Sequence, residues 1–192
     1  NNTTDGVKGA CLFWGSSPIL YNVLIHNNTV GVTSEISGST VSEPLIINSS
    51  IISNSKGGIM DDNDASVTIK NSIIWNNTPQ TEVSALGSIN ITYSNIEGGY
   101  TGTGNIDSDP LFVDAANGDY SLLDYSPAIG AGTTSGAPST DIDGKTRPTP
   151  SGTNPDMGAY ENSLGSPTIV VTNVTSTTDN GTYKIGDVIA IT

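Results

Sequence analysis

Three carboxylates within four residues, Asp61, Asp62 and Asp64 in the run GGIMDDNDAS, are the best candidate metal ligands in this 192-residue chain. With Asn63 between them they offer hard oxygen ligands near a bend, a set suited to Ca²⁺. The same residues also make a solvated turn, and that plainer reading takes precedence. Asp107 and Asp109 in NIDSDPLF, and Asp141 and Asp143 in DIDG, have the spacing of Asx turns. His26 is the only histidine and Arg147 the only arginine; Lys70 has no obvious partner. Trp14, Tyr21 and Trp75 are aromatic side chains that either form an outer strip on which sugars stack or pack under long loops. Cys11, the sole cysteine, cannot form an internal disulfide and reads as a small buried apolar residue.

Six Lys and Arg against 19 Asp and Glu give a net charge of −13, which repels nucleic acid and anionic lipid surfaces. No stretch of 18 apolar residues is present, so no membrane insertion is expected. Such an acidic chain suits an extracellular or cell-surface setting, although acidity also serves solubility alone. The opening, NNTTDGVKGACLF, reads like an internal stretch of something longer.

The elements that must position these residues are strands. Gly numbers 22 and Pro 10, only 13% of residues are charged, and no helical apolar stripe recurs. The phrase NVLIHNNT at 22–29 returns as SSIISNSK at 49–56 and NSIIWNNT at 71–78. Taking Ile25 as reference, its counterparts are Ile52, Ile74 and Ile96, at intervals of 27, 22 and 22. A period of about 22 residues marks a solenoid. Leu20, Ile47, Ile69 and Ile91 form a second inward column, with Pro18, Leu45, Val67 and Ile89 two positions earlier. Between the columns Asn22, Ser49, Asn71 and Tyr93 occupy a bend, followed by Val23, Ser50, Ser72 and Ser94. Asn27, Asn54 and Asn76 are expected to point inward and bond one another as a ladder along the axis. His26 then faces outward beside Ser53, Trp75 and Glu97. GACLFWGSS at 9–17 and GGIMDDNDA at 57–65 align without gaps and supply a third strand. Three strands and three bends per repeat describe a parallel β-helix of about four turns over residues 1–104. Sequons occur at Asn27, Asn48, Asn76, Asn90, Asn173 and Asn180; glycans on Asn27 or Asn76 would contradict the ladder.

From Asn105 the period is lost and a capping segment, 105–161, is expected to close the solenoid's end. Its text, NIDSDPLF, GDYSL, SPAIGAG, DIDGKTRP and DMGAYE in that order, resembles the closing segment of secreted bacterial and archaeal right-handed parallel β-helix proteins. These belong to the pectate-lyase-like superfamily in its broad sense, choice-of-anchor proteins included. The resemblance implies an all-β fold, a right-handed parallel β-helix with a C-terminal cap, and an extracellular location without a fixed activity. Relatives often carry Asp where this chain has Gly130. Hydrolases of the fold pair carboxylates with a catalytic-site His and a basic pair, which are not recognisable here. Lyases of the fold use a positioned Arg or Lys beside Ca²⁺, whereas Arg147 is already accounted for by the capping motif.

Residues 162–168 read as a linker. The stretch 169–192 looks like the first strands of an immunoglobulin-like surface-protein module; truncation, or donation of the strands to the β-helix flank or another copy, would account for them. The expected function is a non-catalytic extracellular β-helix module of a cell-surface or secreted protein, a rigid spacer or adhesive surface. Two alternatives stand beside it: a carbohydrate-active lyase or hydrolase fragment acting on acidic polysaccharide, and a filament subunit assembled through residues 169–192.

Overall fold

In the computed structural model, residues 10–61, 65–83 and 87–167 are described. The first twelve strands run in threes. β1 (Cys11–Trp14), β2 (Ile19–Tyr21) and β3 (Leu24–His26) make the first coil, and β4 (Val32–Glu35), β5 (Leu45–Ile47) and β6 (Ser50–Ile52) the second. β7 (Ile59–Asp61), β8 (Ser66–Lys70) and β9 (Ile73–Trp75) follow, then β10 (Thr81–Val83), β11 (Ser88–Thr92) and β12 (Asn95–Ile96). Like strands stack into three parallel four-stranded sheets, β1-β4-β7-β10, β2-β5-β8-β11 and β3-β6-β9-β12. Four coils stacked in this way make a parallel β-solenoid of about 3 turns. β1 and β7, the strands within GACLFWGSS and GGIMDDNDA, do lie two storeys apart in the first sheet, with β4 between them.

The expected columns exist, but the second coil is displaced by one residue. Ile25 stacks on Ile51, which stacks on Ile74 and then Ile96. Leu20, Ile46, Ile69 and Ile91 form the column of the second sheet. Ile52 and Ile47, predicted to point inward, therefore point outward. The intervals between coils are 26, 23 and 22 residues. Each inward Ile is essentially solvent-free and contributes roughly 1.5–3 kcal/mol. No coil can bury its Ile alone, so the coils stabilise one another.

The bend between second and third sheets explains the recurring polar residues. Asn22, Asn48, Asn71 and Tyr93 all adopt a left-handed backbone, φ near +50°, a conformation that Asn accepts more readily than most side chains. Asn48, and not Ser49, is the second bend residue. Directly after the bend runs a serine ladder. The Ser49, Ser72 and Ser94 hydroxyls accept from the backbone N–H of Val23, Ser49 and Ser72 and donate back to the carbonyls of Ile47, Lys70 and Thr92. Asn105 Oδ1 takes the N–H of Ser94 and ends the series.

The asparagine ladder is also real, with Asn54 on it as expected and its neighbours one residue later than expected, Asn28 and Asn77. Asn28 donates to Asn54 and Asn54 to Asn77, at 3.2 and 2.8 Å. Asn27, Ser53 and Asn76 are instead left-handed bend residues, because the bend falls one position earlier and reverses the inward parity. Asn27 and Asn76 are exposed, so a glycan there would not disturb the ladder.

Residues 100–108 close the upper end. Tyr93 and Ile96 donate to the carbonyls of Thr103 and Ile106, and Tyr100 Oη donates to the Ile89 carbonyl. Beyond them the chain turns back along the solenoid's side. An antiparallel pair, β13 (Phe112–Asp114) and β14 (Asp119–Leu122), joined by the 3-10 turn Ala115–Asn117, begins this flank. Leu122, Ala128, Ile129 and Met157 pack on Ile73 of the third sheet's outer face, making a second core. Asn162 and Leu164, in the stretch read as a linker, belong to this packing: Asn162 bonds Asp156 and Leu122, and Leu164 joins the second core. The trailing segment 169–192 lies outside the described residues.

Candidate functional site

The asparagines of the bend tie the flank to the solenoid. Asn22, Asn48 and Asn71 donate their side-chain amides to the carbonyls of Thr140, Asp156 and Thr133 at 2.7, 2.9 and 2.7 Å. Gly158 meets the same seam, its N–H donating to the Asn71 carbonyl. It has φ of +96°, and a Cβ there would stand 2.8 Å from Ile73 Cδ1, so the close approach excludes other residues.

Within the flank, Arg147 organises a buried charge cluster. Its guanidinium pairs with Glu161 at 3.0 Å, both side chains fully buried, and donates to the carbonyls of Asp156, Gly158 and Ala159. Glu161 also accepts the N–H of Thr149 and of Asp156. Asp156 accepts from Gly130 and Asn162, and Asp141 from Asp143, Lys145 and Glu161. Burial, reinforced by the Glu161 charge, pushes the Asp156 carboxyl up to about 7, despite its two N–H bonds and Arg147. Burial raises Glu161 as well. The same desolvation pulls Arg147 down, but a guanidinium keeps its proton. Every bond in the cluster serves the loops that carry it. Gly130, standing where relatives often have Asp, has φ of +63°, and a Cβ would lie 2.3 Å from the Gly165 carbonyl oxygen.

Among the described residues, Asp61 stands apart from Asp107 and Asp109. Asp61 is the last residue of β7, 4% exposed, and shares the inner face with Ile59, in register with Ser34 and Val83. Asp62 and Asp64 lie outside the described residues. Asp107 Oδ1 accepts from Gly98, and Asp109 Oδ1 from Leu111. Among the described residues no group of three or more His, Cys, Asp or Glu side chains stands in a metal-binding arrangement.

His26 lies in register with Ile52 and, beyond it, Trp75, and not with Ser53. Its ring meets Tyr120 edge to face at 5.1 Å, so it helps seat β14 on the solenoid. The three aromatics, read either as an outer strip or as packing under loops, stand in three different sheets: Trp14 in β1, Tyr21 in β2 and Trp75 in β9. Trp14 and Tyr21 are exposed, 60% and 45%, whereas Trp75 is half-buried against the flank. Cys11 packs against the main core, and burial raises its thiol.

Two hollows of similar size open among the described residues. One, of about 330 Å³, lies within the flank beside Lys145, Thr149 and Glu161. The other, of about 350 Å³, runs between β9 and the start of the flank, with Trp75, Asn76, Asp109 and Phe112 in its walls. No residue lining the second is cationic. Sequence reasoning named Trp75 and Asp109 separately; only the folded-back flank brings them together. Among the described residues no helix is long and apolar enough to cross a membrane. The chain matches no protein-family model, no curated protein and no solved structure.

Proposed function

We propose that this chain is a non-catalytic, extracellular β-helix module of a cell-surface or secreted protein, acting as a rigid spacer that presents an adhesive side. The observation that carries the reading is how the chemically capable side chains are used. Arg147, Asp141, Asp156 and Glu161 are committed to holding loops, and His26 seats Tyr120. A catalytic site needs an acid, base or nucleophile open to substrate, and these groups are engaged elsewhere. Rigidity follows from side-chain ladders that satisfy the bends coil by coil. The acidic charge and the closing run from NIDSDPLF to DMGAYE, similar to that of secreted pectate-lyase-like β-helix proteins, support the extracellular setting.

The test is to incubate the purified chain with acidic and neutral polysaccharides, following new reducing ends and unsaturated products alongside retention on the immobilised polymers. Retention on at least one polymer without cleavage of any is expected. Turnover that Asp61→Asn abolishes would replace the adhesive reading with an enzymatic one.

A further inference from the structure

We propose that the groove between β9 and the start of the flank is a binding site for an uncharged, hydroxyl-rich sugar of a neutral glycan, with Trp75 as its platform. The inference rests on the adhesive reading and names its ligand class. At about 350 Å³ the groove falls at the lower end of ordinary small-ligand pockets, roughly 300–1,000 Å³. Its aromatic side is held in place from behind, because Trp75 and Phe112 both pack against the second core. A half-buried indole fixed in this way offers an apolar surface to the C–H side of a pyranose without losing rotamer freedom on binding.

The rim supplies hydrogen-bond acceptors. Asn76 Nδ2 is engaged by Ser53 Oγ at 2.9 Å, which leaves Asn76 Oδ1 without a partner among the described residues. Asp109 Oδ1 accepts from the N–H of Leu111 at 2.9 Å, which fixes the carboxylate and leaves Oδ2 open. Leu111 itself is held at φ of +55°, an unusual backbone for a Leu, so the turn presenting Asp109 is tightly specified. Two open acceptors beside an indole call for a ligand rich in donors, and sugar hydroxyls are such donors. Charge decides between neutral and acidic sugars. Asp109 lines the groove, and Glu97, which holds the N–H of Asn76 at 2.7 Å, stands next to it. With no cation in the lining, a uronate carboxylate would meet only like charge.

Trp14 and Trp75 are the only two tryptophans, so in a Trp14→Phe chain indole emission reports the groove alone. That chain is titrated with cello-, manno- and chito-oligosaccharides and with oligogalacturonate, and binding is measured in parallel by calorimetry. The expected result is a saturable change in Trp75 emission with at least one neutral oligosaccharide and none with oligogalacturonate. Asp109→Asn, an exposed substitution that keeps Oδ1 as an acceptor, should weaken that binding about tenfold. An emission response to oligogalacturonate equal to that for the neutral sugars, or neutral binding indifferent to Asp109→Asn, overturns the proposal. Calorimetric binding that leaves Trp75 emission unchanged overturns the groove while sparing the adhesive module. Failure of every sugar by both measures overturns the groove and removes its glycan-adhesion basis together.

Discussion

Arg147 lies among three carboxylates and pairs directly with one of them, Glu161. Replacing it with Met would leave Glu161, Asp156 and Asp141 without their buried cation and the Gly158 carbonyl without its donor. Removing one partner of a buried pair costs about 3–5 kcal/mol, so urea denaturation of Arg147→Met should show a loss of that order. The same cluster sets a pH dependence. Asp156 titrates at about 7 in the folded chain, against an ordinary 3.8, so between those values the folded chain holds a proton that the unfolded chain releases. Stability therefore rises as pH falls through 7 and levels off near the unfolded value. Glu161, also raised by burial, has the same sign. Asp119, lowered chiefly by its bond to Ser121, acts oppositely, but only once the pH falls through the ordinary carboxylate range. The denaturation midpoint should thus be higher at about pH 5.5 than at about pH 8, and a flat profile would contradict this account.

Among the elements, the stacking of strands was legible because inward Ile recur at coil spacing. The register of the second coil was not, because LIINSSIIS offers paired choices: Ile46 or Ile47, Ser49 or Ser50, Ile51 or Ile52. Either register fills the column with Ile. What selects one is the backbone at the bend, where Asn48 takes the left-handed conformation that Asn22 and Asn71 also adopt. The adjacent isoleucines carried a further signal. A strand with Ile on both faces is covered on both, and Ile52 and Ile73 lie under the flank at 2% and 1% exposure. The groove was less legible, since it depends on where residues 109–123 return. The serine ladder makes its own prediction. Ser72→Ala removes the acceptor for the buried Ser49 N–H and should cost about 1–3 kcal/mol, visible as accelerated amide exchange at Ser49.

Taken whole, the molecule is a solenoid that completes itself by folding its own chain along one side. A version ending at residue 104 would bare Ile52, Ile73 and Trp75 together, an apolar area of the kind that drives association. Such a chain is expected to bind hydrophobic dyes and to self-associate in sedimentation, whereas the chain containing the flank should do neither. The amides of Asn22, Asn48 and Asn71, each reaching a different carbonyl of that flank, carry a consequence for how such a protein can change. Coiled repeats ordinarily lengthen by duplication, since a new storey needs only its neighbours. Here an inserted storey would push the rungs on either side of it apart by about 4.8 Å, while the three receiving carbonyls kept their places. The molecule therefore carries its own gauge: no storey can be inserted between the coils of Asn22, Asn48 and Asn71 without the side panel being rewritten to match.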